Sequence, residues 1–285
     1  MGDREAKELL AKAEKKANYN GWFGGKKYDE AAELYVSAAN SLKLAKKWKE
    51  AGDAFMKAAD MQIRAEERDE ASSTFISASK CYKKSNPEDA INSLKMAIEI
   101  LTERGRFHAA AGHQKDIAQI YESDLIDIER AMNSYELAAD WYSGEEATAM
   151  ANNCYLKVAA FAAQLEQYDK AIEKFEQVAN ASMDNNLTKW SLKEYFLKAG
   201  LCHIATNDIV GAQRALERYQ DMDVTFSSTR EYKFLQSIME AIDSGDLEAF
   251  TNQVFEFDQL TKLDNWKTTM LLRIKKSINE EPTLT

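Results

Sequence analysis

The most regular feature of the chain is a small residue that returns about every 20 positions behind a polar, acidic phrase. Residues 28–31 read YDEA, 68–71 read RDEA and 168–171 read YDKA. The recurring residues are Ala31, Ala51, Ala71, Ala90, Ala110, Ala131, Ala151 and Ala171. A fixed period of this size indicates a repeat architecture.

Large apolar and small residues follow these alanines at fixed distances. Most have a large side chain four positions later, and many have a second alanine three positions beyond it. The large ones are Tyr35, Phe55, Phe75, Leu94, Tyr135, Tyr155 and Phe175. Positions i, i+4 and i+7 share one helix face. Each unit therefore predicts one helix and a short turn, and successive antiparallel helices must stack because a single one cannot bury its face.

The repeat fades after about residue 185, although helical patterns continue. Five segments of differing length and phase still predict helices: 190–203, 210–219, 231–242, 248–260 and 265–278. We therefore expect an all-α protein. A TPR-like helical-hairpin solenoid spans 1–185, a C-terminal helical bundle that caps it spans 186–278, and a flexible acidic tail spans 279–285. The 34-residue tetratricopeptide consensus is not matched, so the likeness is to the architecture alone.

Cap residues predict where some helices begin and end. Asn86 before Pro87 combines a capping side chain with proline at the first helical position. Ser143 and Glu146 have the spacing of a capping box. Gly105 and Gly245 mark helix boundaries.

Composition narrows the class of partner. Only two prolines and 11 glycines occur in 285 residues, which favours helices with short connections. The net charge of −10 argues against nucleic acid as a partner, because the phosphate backbone needs clustered positive charge. We find no signal peptide and no apolar stretch long enough to span a membrane, so we expect a cytoplasmic protein, peripheral on the cytosolic face of membranes.

The residue patterns of catalysis and metal binding are missing. His108 and His113 are five apart and do not share a helix face as a metal pair would, and the three cysteines match no zinc spacing. The GGKK sequence at 24–27 lacks the spacing of a phosphate loop. We expect a protein that is not an enzyme and needs no cofactor and no metal.

Two irregular features suggest binding surfaces. The loop 19–27 places Trp22 and Phe23 among glycines with lysines after them, which suits a membrane interface. The alternative is that these aromatics fold back onto the first hairpin. Lysine pairs at 46–47 and 83–84 fall in turns two helices apart, so they should lie on one edge, with Arg104 and Arg106 on the opposite edge. Scattered solubilising lysines are the alternative.

Several longer phrases resemble the alpha-SNAP family of soluble attachment proteins, nearly from end to end. They are residues 21–25 (GWFGG), 105–107 (GRF), 163–168 (AQLEQY), 193–196 (KEYF) and 268–276 (TTMLLRIKK). The resemblance implies a twisted sheet of helical hairpins with a C-terminal bundle. It implies an adaptor that is a monomer when free and lies in several copies along a SNARE four-helix bundle. The adaptor then recruits and stimulates the hexameric AAA+ ATPase that disassembles the bundle.

The resemblance also assigns residues by position. It implies SNARE-binding cations and apolar contacts at Lys46, Lys83, Lys84, Arg106, Lys157, Leu187, Trp190 and Lys193. It implies membrane insertion by Trp22 and Phe23. It implies ATPase binding by Glu240, Asp243, Glu280, Glu281 and Leu284.

The chain departs from the family at a few of its functional positions. Gly112 and Asn153 stand where some members carry lysine, and Pro282 and Thr283 interrupt the acidic tail. Apart from the resemblance, the residues leave two classes open: a generic TPR-like adaptor that binds a peptide tail in its groove, and a helical-repeat enzyme with a cryptic site. A paralogue with a narrower choice of SNAREs is a further alternative.

Overall fold

A computed structural model describes residues 2–19, 27–183 and 188–280. Across these ranges the chain forms α-helices and two short 3₁₀ helices, with no strand. The α-helices are α1 (Gly2–Ala17), α2 (Tyr28–Leu44), α3 (Trp48–Arg64), α4 (Arg68–Tyr82), α5 (Pro87–Glu103), α6 (Phe107–Ser123), α7 (Ile128–Gly144), α8 (Thr148–Gln164), α9 (Tyr168–Met183), α10 (Leu192–Ala205), α11 (Ile209–Met222), α12 (Arg230–Asp243), α13 (Leu247–Leu260) and α14 (Asn265–Glu280). The all-α, TPR-like prediction is confirmed.

The repeating alanine has one structural position. It is the fourth residue of every helix from α2 to α9, and it is buried in each. Its amide donates to the carbonyl of the residue just before the helix, as Ala31 does to Lys27 and Ala171 does to Gln167. The alanine therefore closes the first helical turn, and its small side chain is buried in the helix stack.

The large residue of each repeat fills the space that the alanines leave. Phe75 on α4 is fully buried in a cluster with Ala59 of α3 and with Ala97 and Ile100 of α5. Fully burying a phenylalanine stabilises the fold by about 1.5–3 kcal/mol. From α1 to α7 each helix packs against its neighbours in sequence, so the predicted stacking is confirmed for these helices.

The turns between helices repeat one hydrogen-bond pattern. After α2, the amides of Lys46 and Lys47 donate to the carbonyls of Lys43 and Leu42, which is a Schellman motif. It requires a left-handed residue just beyond the helix. Gly105 after α5 and Gly245 after α12 fill this place, as the sequence predicted. Non-glycine residues fill it elsewhere, with φ between 57° and 65°, at Lys46, Glu66, Glu146 and Glu166.

The cap predictions had mixed outcomes. The Asn86 side chain accepts from the amide of Glu88, and Pro87 is the first residue of α5, as predicted. The capping box at Ser143 and Glu146 is wrong. Ser143 lies in the last turn of α7, and Glu146 is the left-handed residue of the turn that follows. The spacing occurred by chance across a helix end.

The chain divides into two compact units, Met1–Ala151 and Asn152–Thr285, and the division falls within α8. The sequence placed the change from solenoid to bundle at 185/186, where residues 184–187 lie outside the described ranges. The boundary between solenoid and bundle at 185/186 stays a prediction. The tail expected at 279–285 begins inside α14, which extends to Glu280, and residues 281–285 are not described.

The second unit is organised around α10, which packs against α9, α11, α12 and α14. Its core is aromatic. The Phe196 ring stacks on Tyr219 at 4.7 Å and meets Phe226 edge-on at 5.1 Å. Phe234 stacks on Phe257 at 4.2 Å, which joins α12 to α13. All five helices predicted for this region are present, with α10 preceded by a 3₁₀ turn at Lys189–Ser191.

Candidate protein-binding surfaces

Basic residues of two turns in the first unit meet at one end of its helices. Lys46 is exposed in the turn between α2 and α3, and Lys83 and Lys84 lie between α4 and α5. The Lys84 ammonium sits 4.0 Å from the ring centroid of Trp48, the first residue of α3, and this contact joins the two turns. We call Lys46, Lys47, Lys83 and Lys84 the lysine edge. The structure confirms the expected placement of these pairs on one edge.

The opposite end of the same helices carries arginines that already have partners. Arg104 donates to Asp69 at 2.7 Å, and Arg106 lies 3.9 Å from the same carboxylate. Arg68 pairs with Glu103 across the same two turns. A 17-residue helix is about 25 Å long, so Arg106 and Lys46 do not form one cluster. Asp69 partly offsets the charge of Arg106.

The residues of the second unit that are predicted to bind SNAREs occupy separate positions. Trp190 is 85% exposed in the 3₁₀ turn before α10, which is exceptional for so large an apolar side chain. Lys193, one turn further on, pairs at 3.1 Å with Glu231, a carboxylate that is almost fully buried. Lys157 lies on α8 with its ammonium 5.7 Å from the Phe161 ring. Leu187 is outside the described residues.

Two of the predicted ATPase-binding acids lie at the end of α12. Glu240 and Asp243 are both exposed in the last turn of α12. Asp243 lines a hollow with Asn207 of the α10–α11 turn and Ile278 of α14, so three chain segments converge there. The side chain of Glu280, and residues Glu281 and Leu284, lie outside the described part of the chain.

The predicted membrane residues Trp22 and Phe23 also fall outside the described ranges, but the residues on either side of them are described. Tyr19 is 46% exposed, and the Lys27 ammonium lies 5.7 Å from the centroid of its ring. Glu30 accepts from both Lys16 and Lys27, and these hydrogen bonds hold the pKa of its carboxyl below its usual range. The hydrogen bond to Glu30, together with the charge of its carboxylate, in turn raises the pKa of Lys27.

Sequence reasoning missed two polar groupings. One is a face of α1 that carries Lys12, Lys15 and Lys16, although their i, i+3, i+4 spacing was a usable signal. The other joins Glu176 of α9 to His203, Arg218 and Tyr219, and no spacing rule links residues so far apart. In the described ranges, no group of three or more metal-type ligands is clustered, and no helix is long and apolar enough to cross a bilayer.

Comparisons with known proteins agree over almost the whole chain. Residues 4–279 match the family described as soluble NSF attachment protein, SNAP. An alpha-soluble NSF attachment protein of Dictyostelium discoideum is 55% identical over 99% of this chain and 98% of its own length. The vesicular-fusion protein SEC17 of Coprinopsis cinerea is 53% identical over 98% of both chains. The beta-soluble NSF attachment protein of Bos taurus is 49% identical over 97% of this chain and 94% of its own.

Among solved structures, a signal transduction ATPase with a tetratricopeptide repeat sensor, from Pyrococcus horikoshii, is similar over 96% of this chain and 42% of its own. Its TM-score is 0.47 at 15% identity.

Proposed function

This chain belongs to the soluble NSF attachment protein family, and from that premise we propose that it is a non-enzymatic adaptor in membrane fusion. It binds assembled SNARE complexes and recruits and stimulates the AAA+ ATPase that disassembles them. The names of its relatives, NSF attachment protein and vesicular-fusion protein, support this assignment. The chain acts in the cytoplasm and at the cytosolic face of membranes.

The lysine edge is the observation that best supports the proposed binding of SNARE complexes. It concentrates cations from two turns of a chain whose net charge is −10, and Lys46 has no carboxylate partner among the described residues. Complementary potential steers an acidic, elongated partner toward such an edge. Because an exposed ion pair contributes only about 0–1 kcal/mol, each copy binds modestly, and several copies on one bundle raise the avidity.

The second unit adds apolar and charged contacts to the same partner. Trp190 offers a large ring whose burial on binding removes apolar surface from water. Lys193 and Lys157 supply positive charge, and Glu231 fixes the position of Lys193. Leu187 is the remaining apolar contact of this set.

The acidic end of the second unit is the proposed attachment point for the ATPase. Glu240 and Asp243 present carboxylates to solvent beside the end of α14. Glu280, Glu281 and Leu284 follow in the sequence, and we assign them to the same contact. Trp22 and Phe23 contact the membrane. The adaptor thus binds three partners: the SNARE bundle, the ATPase and the bilayer.

A charge-reversal experiment tests the SNARE-binding part. We expect Lys46→Glu with Arg106→Glu to weaken binding to a purified SNARE bundle by about tenfold and to leave helicity intact, since both positions are exposed. Pull-down and circular dichroism measure the two properties. The matched control is Lys95→Glu with Lys115→Glu, which makes the same charge change in the middle of α5 and α6. Unchanged SNARE binding by the first variant would refute the assignment of the two edges.

A further inference from the structure

A cleft between α1 and α2 gathers four lysines around one aromatic ring. Lys12, Lys15 and Lys16 have the spacing i, i+3 and i+4 and share one face of α1, and Tyr19 lies two residues beyond the end of the helix in the same lining. Lys27, at the start of α2, completes the lining. Buried alanines, Ala13 of α1 and Ala31 of α2, hold the two helices together beneath the cleft.

The cleft is only partly neutralised. Glu30 bridges Lys16 and Lys27, which keeps two ammonium groups together that would otherwise repel each other. Glu33 is the second carboxylate in the lining. Lys12 and Lys15 pair with no carboxylate of the described residues, so four lysines face two acids. The result is a local positive site in an acidic protein.

The cleft lies next to the proposed membrane-contacting segment in the sequence. Tyr19 and Lys27 are the described residues on either side of 20–26, the segment that holds Trp22 and Phe23. The proposed function puts those aromatics in contact with a bilayer, and Tyr19 and Lys27, the cleft residues nearest to them in the chain, then face its headgroup region. Two inserted aromatics form a weak anchor, and stable attachment needs a second, electrostatic signal.

We infer that the α1–α2 cleft binds the phosphate-bearing headgroups of anionic phospholipids, through Lys12 and Lys15 first and through the Glu30-bridged Lys16 and Lys27 behind them. Tyr19 supplies the interfacial ring at the rim of the site. This inference rests on the membrane contact in the proposed function and adds lipid selectivity to it. Membrane attachment then depends on negative lipid and weakens with salt.

Vesicle co-sedimentation of the full chain tests the cleft. Wild-type protein should bind phosphatidylcholine vesicles that contain phosphatidylserine more tightly than pure phosphatidylcholine vesicles. Lys12→Gln with Lys15→Gln should weaken binding to the anionic vesicles by about tenfold and leave binding to neutral ones unchanged. Lys95→Gln with Lys115→Gln, the matched control, should behave as wild type. Equal binding of the first variant and wild type to anionic vesicles overturns the inference.

A second variant acts in the opposite direction. Glu30→Gln removes one negative charge from the cleft, so it should tighten binding to anionic vesicles by several-fold. Weaker binding by this variant, with its helicity intact, also overturns the inference. Soluble inositol phosphate should compete poorly with anionic vesicles for the protein, because it lacks the bilayer that the aromatics need. If the protein binds inositol phosphate as tightly as it binds vesicles, the cleft is reassigned to a free phosphate ligand.

Binding to a SNARE bundle in detergent separates this inference from the proposed function. The Lys12→Gln, Lys15→Gln variant should bind the bundle as wild type does. Loss of that binding with vesicle binding retained would assign the cleft to an acidic protein instead. Failure of wild-type protein to bind the bundle would refute the proposed function, whatever the vesicles do.

Discussion

At Glu66 and Glu146 a residue with a β-carbon takes the left-handed backbone conformation that glycine takes at Gly105. This conformation costs a residue with a side chain roughly 1 kcal/mol relative to glycine. The cost is offset because the turn satisfies two carbonyl groups at the end of each helix. The turns are therefore stable and slightly strained.

We predict that Glu146→Gly raises the free energy of unfolding by about 1 kcal/mol, because glycine relieves the strain at φ 57°. Urea unfolding followed by circular dichroism measures the change. Glu146→Ala is the control, since it removes the same charge and keeps the β-carbon. An equal gain in both variants would mean that charge, not backbone strain, is the cause.

At the scale of helices, one carboxylate joins three of them in the second unit. Glu176 of α9 accepts from the Tyr219 hydroxyl of α11 at 2.5 Å and lies 3.3 Å from Nε2 of His203 on α10, with Arg218 alongside. Burial raises the pKa of the Glu176 carboxyl, but the hydrogen bonds from His203 and Tyr219 and the charge of Arg218 outweigh it. The pKa lies below its usual range.

Because the pKa of Glu176 is lowered in the folded protein, the free energy of unfolding depends on pH in a definite direction. The network stabilises the fold at pH above the ordinary glutamate pKa, and this contribution is lost as the pH falls through the lower folded value. We predict that Glu176→Gln lowers the free energy of unfolding by about 2 kcal/mol at neutral pH, because a charged hydrogen-bond acceptor is lost. The variant should also show a shallower loss of stability toward about pH 4. Glu173→Gln on the exposed side of α9 is the control, and the same pH profile in both variants would contradict the prediction.

The sequence predicts helices well and predicts contacts between distant residues poorly. The alanine period located α2 to α9 because one small residue is needed at each helix crossing. The lysine edge followed from the same period, since alternate turns return to one edge. The pairing of Arg106 with Asp69 and the convergence of Asn207, Asp243 and Ile278 did not follow. They depend on how helices that are far apart in sequence are rotated, which no local pattern encodes.

At the scale of the whole chain, the proposed contacts divide among surfaces of different charge. The lysine edge and the α1–α2 cleft are positive, and Glu240 and Asp243 are exposed on the second unit. Binding and stimulation should therefore be separable by mutation.

We predict that removing Leu284 and Thr285 lowers ATPase stimulation and retains SNARE binding, because the proposed SNARE contacts lie elsewhere in the chain. Turnover of the ATPase on a fixed amount of SNARE complex measures the first property, and pull-down measures the second. Removing Thr285 alone is the control, and it should keep stimulation because Leu284 stays. Full stimulation by the shorter chain would count against the role of Leu284.

The left-handed turn residues have a consequence for how such a protein changes over evolutionary time. Backbone hydrogen bonds set the shape of these turns, so Lys46, Glu66 and Glu146 occupy equivalent places with opposite charges. Consecutive turns lie at alternate ends of the stack, so one substitution alters a single edge and leaves the helix spacing as it was. The scaffold thus lets partner choice drift in single mutational steps while the fold is inherited intact.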